Sequence, residues 1–349
     1  MHELSERILK GEVRAAARAM RLVDDRSPDA VTILKEIFPH TGKAWVLGVT
    51  GNPGSGKSTL CDRLIEHARK RGMKVGVIAV DPTSPYSGGA ILGDRIRMTR
   101  HATDEGVFIR SVATRGHLGG LSRSARQLVR VLDAFGCDLI LVETVGVGQD
   151  ELEITRTAHT TLVVMAPGLG DDVQAIKAGL MECADAFAVN KADREGADAT
   201  VRDLELMIAL GSETLIASGK KRTHDAHHVF RPATLEGGAR GANAPRTRTD
   251  WTPPIVKCVA LRGEGVDELW AALERHRDWA FGTEEGRARR HERLAEELRE
   301  TLREALIDAA MEKLGAAIDE TVSAVEAKTL DPYTATERLV ARFAASKPT

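Results

Sequence analysis

From residue 44 onward, short β-branched and aliphatic runs alternate with amphipathic segments of helical length. The runs are Trp45 to Thr50, Val75 to Val80, Val107 to Val112, Leu139 to Glu143, Leu162 to Met165, Phe187 to Val189 and Ile255 to Ala260. Runs this uniformly apolar are strands buried on both faces, and their alternation with helices predicts βαβ units around a mostly parallel sheet. The expected fold class is α/β. Ahead of the first strand, Leu4 and Ile8, then Ala15 to Met20, recur at helical spacing. Ser27 followed by Pro28 is a cap with proline at the first helical position, opening a segment through Val31, Leu34 and Ile37 to Pro39. Two helices are expected before the sheet.

Behind the strands the pattern changes twice. Gly211 to Pro254 is polar, with glycines, arginines and the pair His227 and His228, and reads as either a functional loop or, the reading preferred here, a long surface connection. After Trp279, Leu294, Leu298, Leu302, Leu306, Ala310, Leu314 and Ile318 recur every four residues through a charged segment. Each step of four overshoots a full turn, so the apolar stripe winds ~240° around the helix and must be covered from several sides. Docking along the same chain and an intertwined dimer are the two ways to cover it. Asp331-Pro332 breaks the run, and Leu339, Val340 and Phe343 predict a short last helix.

Composition narrows the functional classes. The 349 residues carry 49 Lys and Arg against 51 Asp and Glu, a formal net charge of -2, which argues against a dedicated nucleic-acid or membrane-surface binder. The apolar runs are strand-sized, far short of the ~18 residues of a membrane helix. Glu3 and Glu6 interrupt an N-terminus without an apolar core, so neither a secretory signal nor a transit peptide is expected. Cys61, Cys137, Cys183 and Cys258 are scattered without CxxC spacing, which predicts small core residues in a reducing, cytoplasmic compartment.

The chemistry begins at Gly51-Asn52-Pro53-Gly54-Ser55-Gly56-Lys57-Ser58-Thr59, which satisfies GxxxxGK[ST] between a strand and a helix. Glycines let successive N–H groups turn inward on phosphates, and the helix N-terminus adds partial positive charge. Lys57 would reach the outer phosphates and the Ser58 hydroxyl would bind magnesium. Leu139 to Glu143 is an apolar strand ending in a carboxylate, placed to reach that magnesium or its waters, and Gly146 follows with an N–H for the γ-phosphate. Asp81 ends another strand, and Asp94 closes the Gly- and Ser-rich segment after it, a candidate lid carrying carboxylates toward the metal.

Further on, Asn190-Lys191-Ala192-Asp193 leaves a strand in the NKxD pattern. The Asp193 carboxylate can accept from both guanine N1–H and the exocyclic amine, whereas adenine would leave it unpaired. Lys191 would lie along the base plane, and Asn190 would tie this loop to the phosphate loop. Val259, Ala260 and Leu261 follow the last strand, where backbone N–H would meet the guanine carbonyl. Val147 stands where Ras-like GTPases place the glutamine that orients water, and Gln149 lies two residues beyond, so slow intrinsic hydrolysis is expected.

Together with the signature Val80-Asp81-Pro82 through Asp94 to Met98 and the segment Glu143 to Gln149, these motifs make the chain closely similar to the methylmalonyl-CoA mutase-associated GTPases, the MeaB or ArgK-like family. The resemblance implies a P-loop G-domain with helical extensions at both ends: 1-40, 41-282 and 283-349, the last a dimerisation arm. It implies GTP or GDP and Mg2+ as ligands, with Asp81, Asp94 and Glu143 as metal and catalytic carboxylates. It also implies homodimerisation and a chaperone role toward an adenosylcobalamin-dependent acyl-CoA mutase, with a cobalamin adenosyltransferase as a further candidate partner. Gln174 and Lys177, within Gly168 to Glu182, fall in the segment that would respond to the mutase. Three rival readings differ in kind. Asp193 disfavours an ATPase or kinase of amino-acid transport. A nickel-insertion GTPase would show a His- or Cys-rich metal motif, and an assembly scaffold would turn over no GTP.

Overall fold

Gly11 takes a φ of 76°, a left-handed conformation that ends the first helix, so three α-helices rather than the expected two precede the sheet. They are α1 (Glu3–Leu9), α2 (Val13–Asp24) and α3 (Pro28–Ile37). The Ser27 hydroxyl accepts from Asp29 N at 3.4 Å and Pro28 opens α3, as its sequence signature requires. The computed structural model describes residues 1–82, 99–101, 103–114, 120–144, 157–168, 184–218 and 251–345.

Among the described residues the strands are β1 (Trp45–Thr50), β2 (Val75–Pro82), β3 (Val107–Thr114), β4 (Leu139–Thr144), β5 (Thr160–Met165), β6 (Ala186–Val189) and β7 (Ile255–Lys257). They form one seven-stranded sheet in the order β3-β2-β4-β1-β5-β6-β7, every pair parallel. All strand ends of one kind therefore share an edge. Between them run α4 (Lys57–Lys70), α5 (Gly120–Ala134) and α6 (Ala197–Ser218), and α7 (Val266–Gly282) follows β7.

Side chains alternate across the sheet. Val46, Ile140 and Val142 join the cluster that holds Ile8, Met20, Ile33 and Leu128, so α1, α2, α3 and α5 share a core on one face. Leu47, Val49, Leu139 and Leu141 join Leu60, Leu64, Leu269 and Trp270, so α4 and α7 cover the other. Burial on both faces explains why the strands read as continuous apolar runs. The turn into β1 is fixed by the buried Asp133 carboxylate, which accepts from the N–H groups of Gly42 at 2.5 Å, Lys43 at 3.2 Å and Ala44 at 3.0 Å.

Two boundaries differ from expectation. β7 ends at Lys257 rather than Ala260, because Gly263 and Gly265, at φ 77° and 75°, fold Cys258 to Gly265 into turns in which Val259 N donates to Glu264 O at 2.9 Å. Helix α6 runs through Gly211 to Ser218, eight residues into the stretch read as polar connection. Residues 219–250, including His227 and His228, lie outside the described residues.

The chain divides into two compact units, 1–287 and 288–349. The second contains most of α8 (Glu284–Glu326) and all of α9 (Pro332–Ala345), the latter capped by Asp331 Oδ1, which accepts from Tyr333 N at 3.0 Å and Thr334 N at 2.9 Å. Within this unit Leu314, Ala317 and Ala335 are buried, whereas Leu294, Leu298, Leu302 and Leu306 are exposed. No helix among the described residues is long and apolar enough to cross a membrane. Of the cysteines, Cys61, Cys137 and Cys258 are buried thiols; Cys183 lies outside the described residues.

Candidate functional site

The loop from Gly51 to Gly56 joins β1 to α4 at the shared edge of the sheet. Gly51 sits at φ 133°, and a Cβ there would lie 2.1 Å from the Val164 carbonyl oxygen of β5. Gly56, at φ 91°, would drive a Cβ to 2.3 Å from Asn190 Nδ2. Both positions are closed to any side chain. Lys57, the first residue of α4, is buried, and its Nζ donates to the carbonyls of Gly51 at 2.7 Å and Asn52 at 2.9 Å. These bonds hold the ammonium over the loop it would share with phosphate.

Ser58 Oγ donates to Glu143 Oε1 at 2.7 Å. Glu143 is 2% exposed near the end of β4, in register with Val49 of β1 and Ala79 of β2. Asp81 lies two positions beyond Ala79 on β2, with its backbone in register with Ala113. A hydroxyl and a carboxylate at one strand edge are hard oxygen donors, the set magnesium prefers, so the residues fit the metal. Beside them Thr144 Oγ1 donates to Thr50 Oγ1 at 3.1 Å, joining the ends of β4 and β1. The side chain of Asp81, and Asp94, Gly146, Val147, Gln149, Gln174 and Lys177 altogether, lie outside the described residues.

The NKxD segment meets this loop directly. Asn190, 3% exposed, donates through Nδ2 to Ser55 O at 2.9 Å and accepts from Ala260 N at 3.0 Å through Oδ1, so one amide spans the phosphate loop and the segment after β7. Lys191, at φ 57°, donates from Nζ to Gly54 O at 2.6 Å, and Ala192 N donates to Cys258 O at 3.0 Å. The structure thus brings together Gly51 to Ser58, Glu143, Asn190, Lys191, Asp193 and Val259 to Leu261.

Two arginines at this site escaped the sequence reading. Arg262 donates to Asp193 Oδ2 at 3.3 Å and, more tightly, to Glu264 Oε1 at 2.7 Å and Oε2 at 3.2 Å. Hydrogen bonding to Arg262 holds the Glu264 carboxyl below its ordinary range, and Glu264 in turn raises the Arg262 guanidinium. Arg63 of α4 donates to the carbonyls of Ala260 at 2.9 Å and Leu261 at 2.7 Å, and to Glu66 at 3.0 Å. Arg262 had a local signal, as a cation next to the base segment. Arg63 had none beyond lying six residues after Lys57.

A parallel sheet, a glycine loop feeding a helix with its lysine and serine, a strand-end carboxylate on that serine and an NKxD segment tied to the loop define a P-loop GTPase. The profile of the family described as Methylmalonyl Co-A mutase-associated GTPase MeaB matches residues 16–315, and the chain belongs to that family. A protein of Pyrococcus abyssi named as a GTPase is 46% identical over 341 residues, covering 97% of this chain and 95% of its own. GTPase ArgK of Escherichia coli is 38% identical over 275 residues, 78% of this chain and 74% of its own. Among solved structures, one titled LAO/AO transport system kinase superposes with a TM-score of 0.64 at 29% identity, covering 98% of this chain and 97% of that one.

Proposed function

We propose that this GTPase binds magnesium-GTP across the P-loop and the NKxD segment and uses its hydrolysis to regulate an adenosylcobalamin-dependent acyl-CoA mutase. The observation that carries the nucleotide reading is the Asn190 side chain, which ties the phosphate loop at Ser55 to the base loop at Ala260. Phosphate and base recognition are thereby parts of one site, with the Asp193 carboxylate facing the guanine edge and the Lys191 stem along its plane. Backbone N–H groups of Gly51 to Ser58 and the Lys57 ammonium would hold the phosphates. Ser58 and Glu143 would hold the magnesium, directly or through its water. The metal, when bound, neutralises charge that develops between the β- and γ-phosphates. Asp81, Asp94 and Gly146 complete this proposal as metal carboxylates and γ-phosphate contact.

The mutase role is supported by the family's description. In this reading the chain gates delivery and protection of the cobalamin cofactor, with an adenosyltransferase as a second partner, in the cytoplasm. The exposed leucines at 294, 298, 302 and 306 support a homodimer formed through α8. Contact with the mutase would accelerate a slow intrinsic hydrolysis, with Gln174 or Lys177 supplying the transition-state contact that Val147 does not.

Steady-state phosphate release with and without a cobalamin-dependent acyl-CoA mutase tests this. Acceleration by the partner in wild type, reduced in Gln174→Ala or Lys177→Ala with basal rate and GTP affinity intact, is the expected result. Fast hydrolysis by the chain alone, or acceleration untouched in both variants, would refute it. Displacement of bound GTP by equimolar ATP would revive the transport-kinase reading.

A further inference from the structure

Arg63 is a half-buried guanidinium on the phosphate-binding helix whose three donor nitrogens are all used, and two of them go to the backbone of another loop. Nε donates to Ala260 O at 2.9 Å and Nη2 to Leu261 O at 2.7 Å, while Nη1 is held by Glu66 Oε2 at 3.0 Å. Glu66 is itself fixed, since Lys70 pairs with its other oxygen at 2.9 Å. The carboxyl of Glu66 lies below its ordinary range, first through Lys70 and then through Arg63, so it is charged wherever the protein is folded near neutrality. The fork of Arg63 therefore has a fixed orientation, and it grips two consecutive carbonyls.

What that grip controls follows from peptide geometry. A trans peptide is planar, with its C=O and N–H antiparallel. There are no cis peptides in the described chain, so holding Ala260 C=O against α4 turns the N–H of Leu261 to the opposite side of the loop. The neighbouring amides already have partners: Ala260 N donates to Asn190 Oδ1 at 3.0 Å, and Arg262 N donates to Val259 O at 2.9 Å. Among the described residues no group accepts from Leu261 N. Of the three consecutive amides from Ala260 to Arg262, this one remains for a ligand, in the loop that Asn190 ties to the phosphate site.

We infer that Arg63 is a positioning residue for base recognition: by holding the carbonyls of Ala260 and Leu261, it aims the Leu261 N–H at the carbonyl of guanine. The inference rests on the proposed guanine site and adds a determinant from the phosphate-binding helix. An amide N–H accepts no hydrogen bond, so a base with an amine in place of that carbonyl finds no partner there. Arg63 touches neither phosphate nor base; it acts through the peptide it orients.

The test compares GTP with 2-aminopurine riboside triphosphate, which keeps the phosphates and the exocyclic amine but lacks the carbonyl and, with it, the N1–H that Asp193 would meet in either protein. Dissociation constants are measured by calorimetry for wild type, Arg63→Met, which keeps the aliphatic stem, and Arg63→Lys, which restores one donor. Arg63→Met is expected to lose about tenfold in GTP affinity, the worth of about one hydrogen bond, while the analogue changes by less than about threefold. Arg63→Lys is expected to recover part of the loss. Equal losses for both nucleotides would make Arg63 merely structural and overturn the inference, as would an Arg63→Met protein with wild-type discrimination. A wild-type protein that binds both nucleotides alike would instead overturn the guanine-site reading beneath it.

Discussion

Ser58 and Glu143, 85 residues apart in sequence, share a 2.7 Å hydrogen bond beneath the phosphate loop, with the carboxylate almost wholly buried. The strand order explains the meeting, because β4 lies directly beside β1, and the helix that opens with Lys57-Ser58 starts from the end of β1. In Glu143→Gln the amide oxygen can still accept from Ser58, so the fold should survive while the negative charge is lost. Turnover and apparent magnesium affinity are expected to fall about 10- to 100-fold, with GTP binding much less affected. A magnesium titration of phosphate release checks this, and a curve matching wild type would leave Glu143 a structural role.

Lys57→Ala removes the buried ammonium that caps the carbonyls of Gly51 and Asn52. Tight GTP binding should be lost, by at least ~10-fold, the worth of one charge-assisted bond, while the far-UV spectrum stays unchanged. Calorimetric titration with GTP is the measurement; affinity within about threefold of wild type would remove Lys57 from the phosphate site.

Asp193→Asn exchanges an acceptor for a group that also donates. Guanine should lose ground and xanthine, with oxygen in place of the exocyclic amine, should gain, so the GTP-to-XTP preference is expected to reverse or collapse. Competition binding with the two nucleotides reads it directly. Arg262 beside Asp193 stays charged in the variant and does not confound the comparison.

Much of this site was legible because its residues are contiguous. GxxxxGK[ST] and NKxD each place their donors within one loop, and the Glu143 strand end is set by four apolar residues before it. Arg63 was not legible, for its partners are backbone carbonyls almost two hundred residues away, and carbonyls leave no mark in a sequence. The parallel fold followed from the apolar runs, whereas the elements missed were local conformational choices. Gly11 adopts the left-handed geometry that ends a helix, yet Gly211 is carried inside α6, where a glycine costs only ~1 kcal/mol. Identical residue types gave opposite outcomes because tertiary context decides between them.

Asp133 anchors the chain entering β1 through three backbone N–H groups. Asp133→Ala leaves those donors without the carboxylate and is expected to cost about 3 kcal/mol of folding stability, with Asp133→Asn less damaging. Urea unfolding of the three proteins decides; a loss under ~0.5 kcal/mol would show that other groups take over the donors.

Arg69 and the Gly106 N–H hold the Asp104 carboxyl below its ordinary value, with Arg69 the larger cause. A carboxylate so depressed contributes stability above its unfolded pKa, and that contribution is lost as pH falls through the folded value. Acid unfolding followed by circular dichroism below about pH 4 should therefore begin at lower pH in Asp104→Asn, which has no such contribution to lose, than in wild type at equal starting stability. Coincident acid transitions, after normalising for stability at pH 7, would count against it.

The closure of position 51 has a consequence for how this loop can vary. The atom that a Cβ would strike is the carbonyl oxygen of Val164, part of the neighbouring strand's main chain rather than its side chain. Every amino acid carries that oxygen, so no replacement at 164 makes room, and a second-site suppressor of a Gly51 substitution would have to displace β5 itself. The restriction is thus independent of the surrounding sequence: lineages can exchange the side chains of this sheet freely and still inherit hydrogen as the one substituent tolerated at that turn.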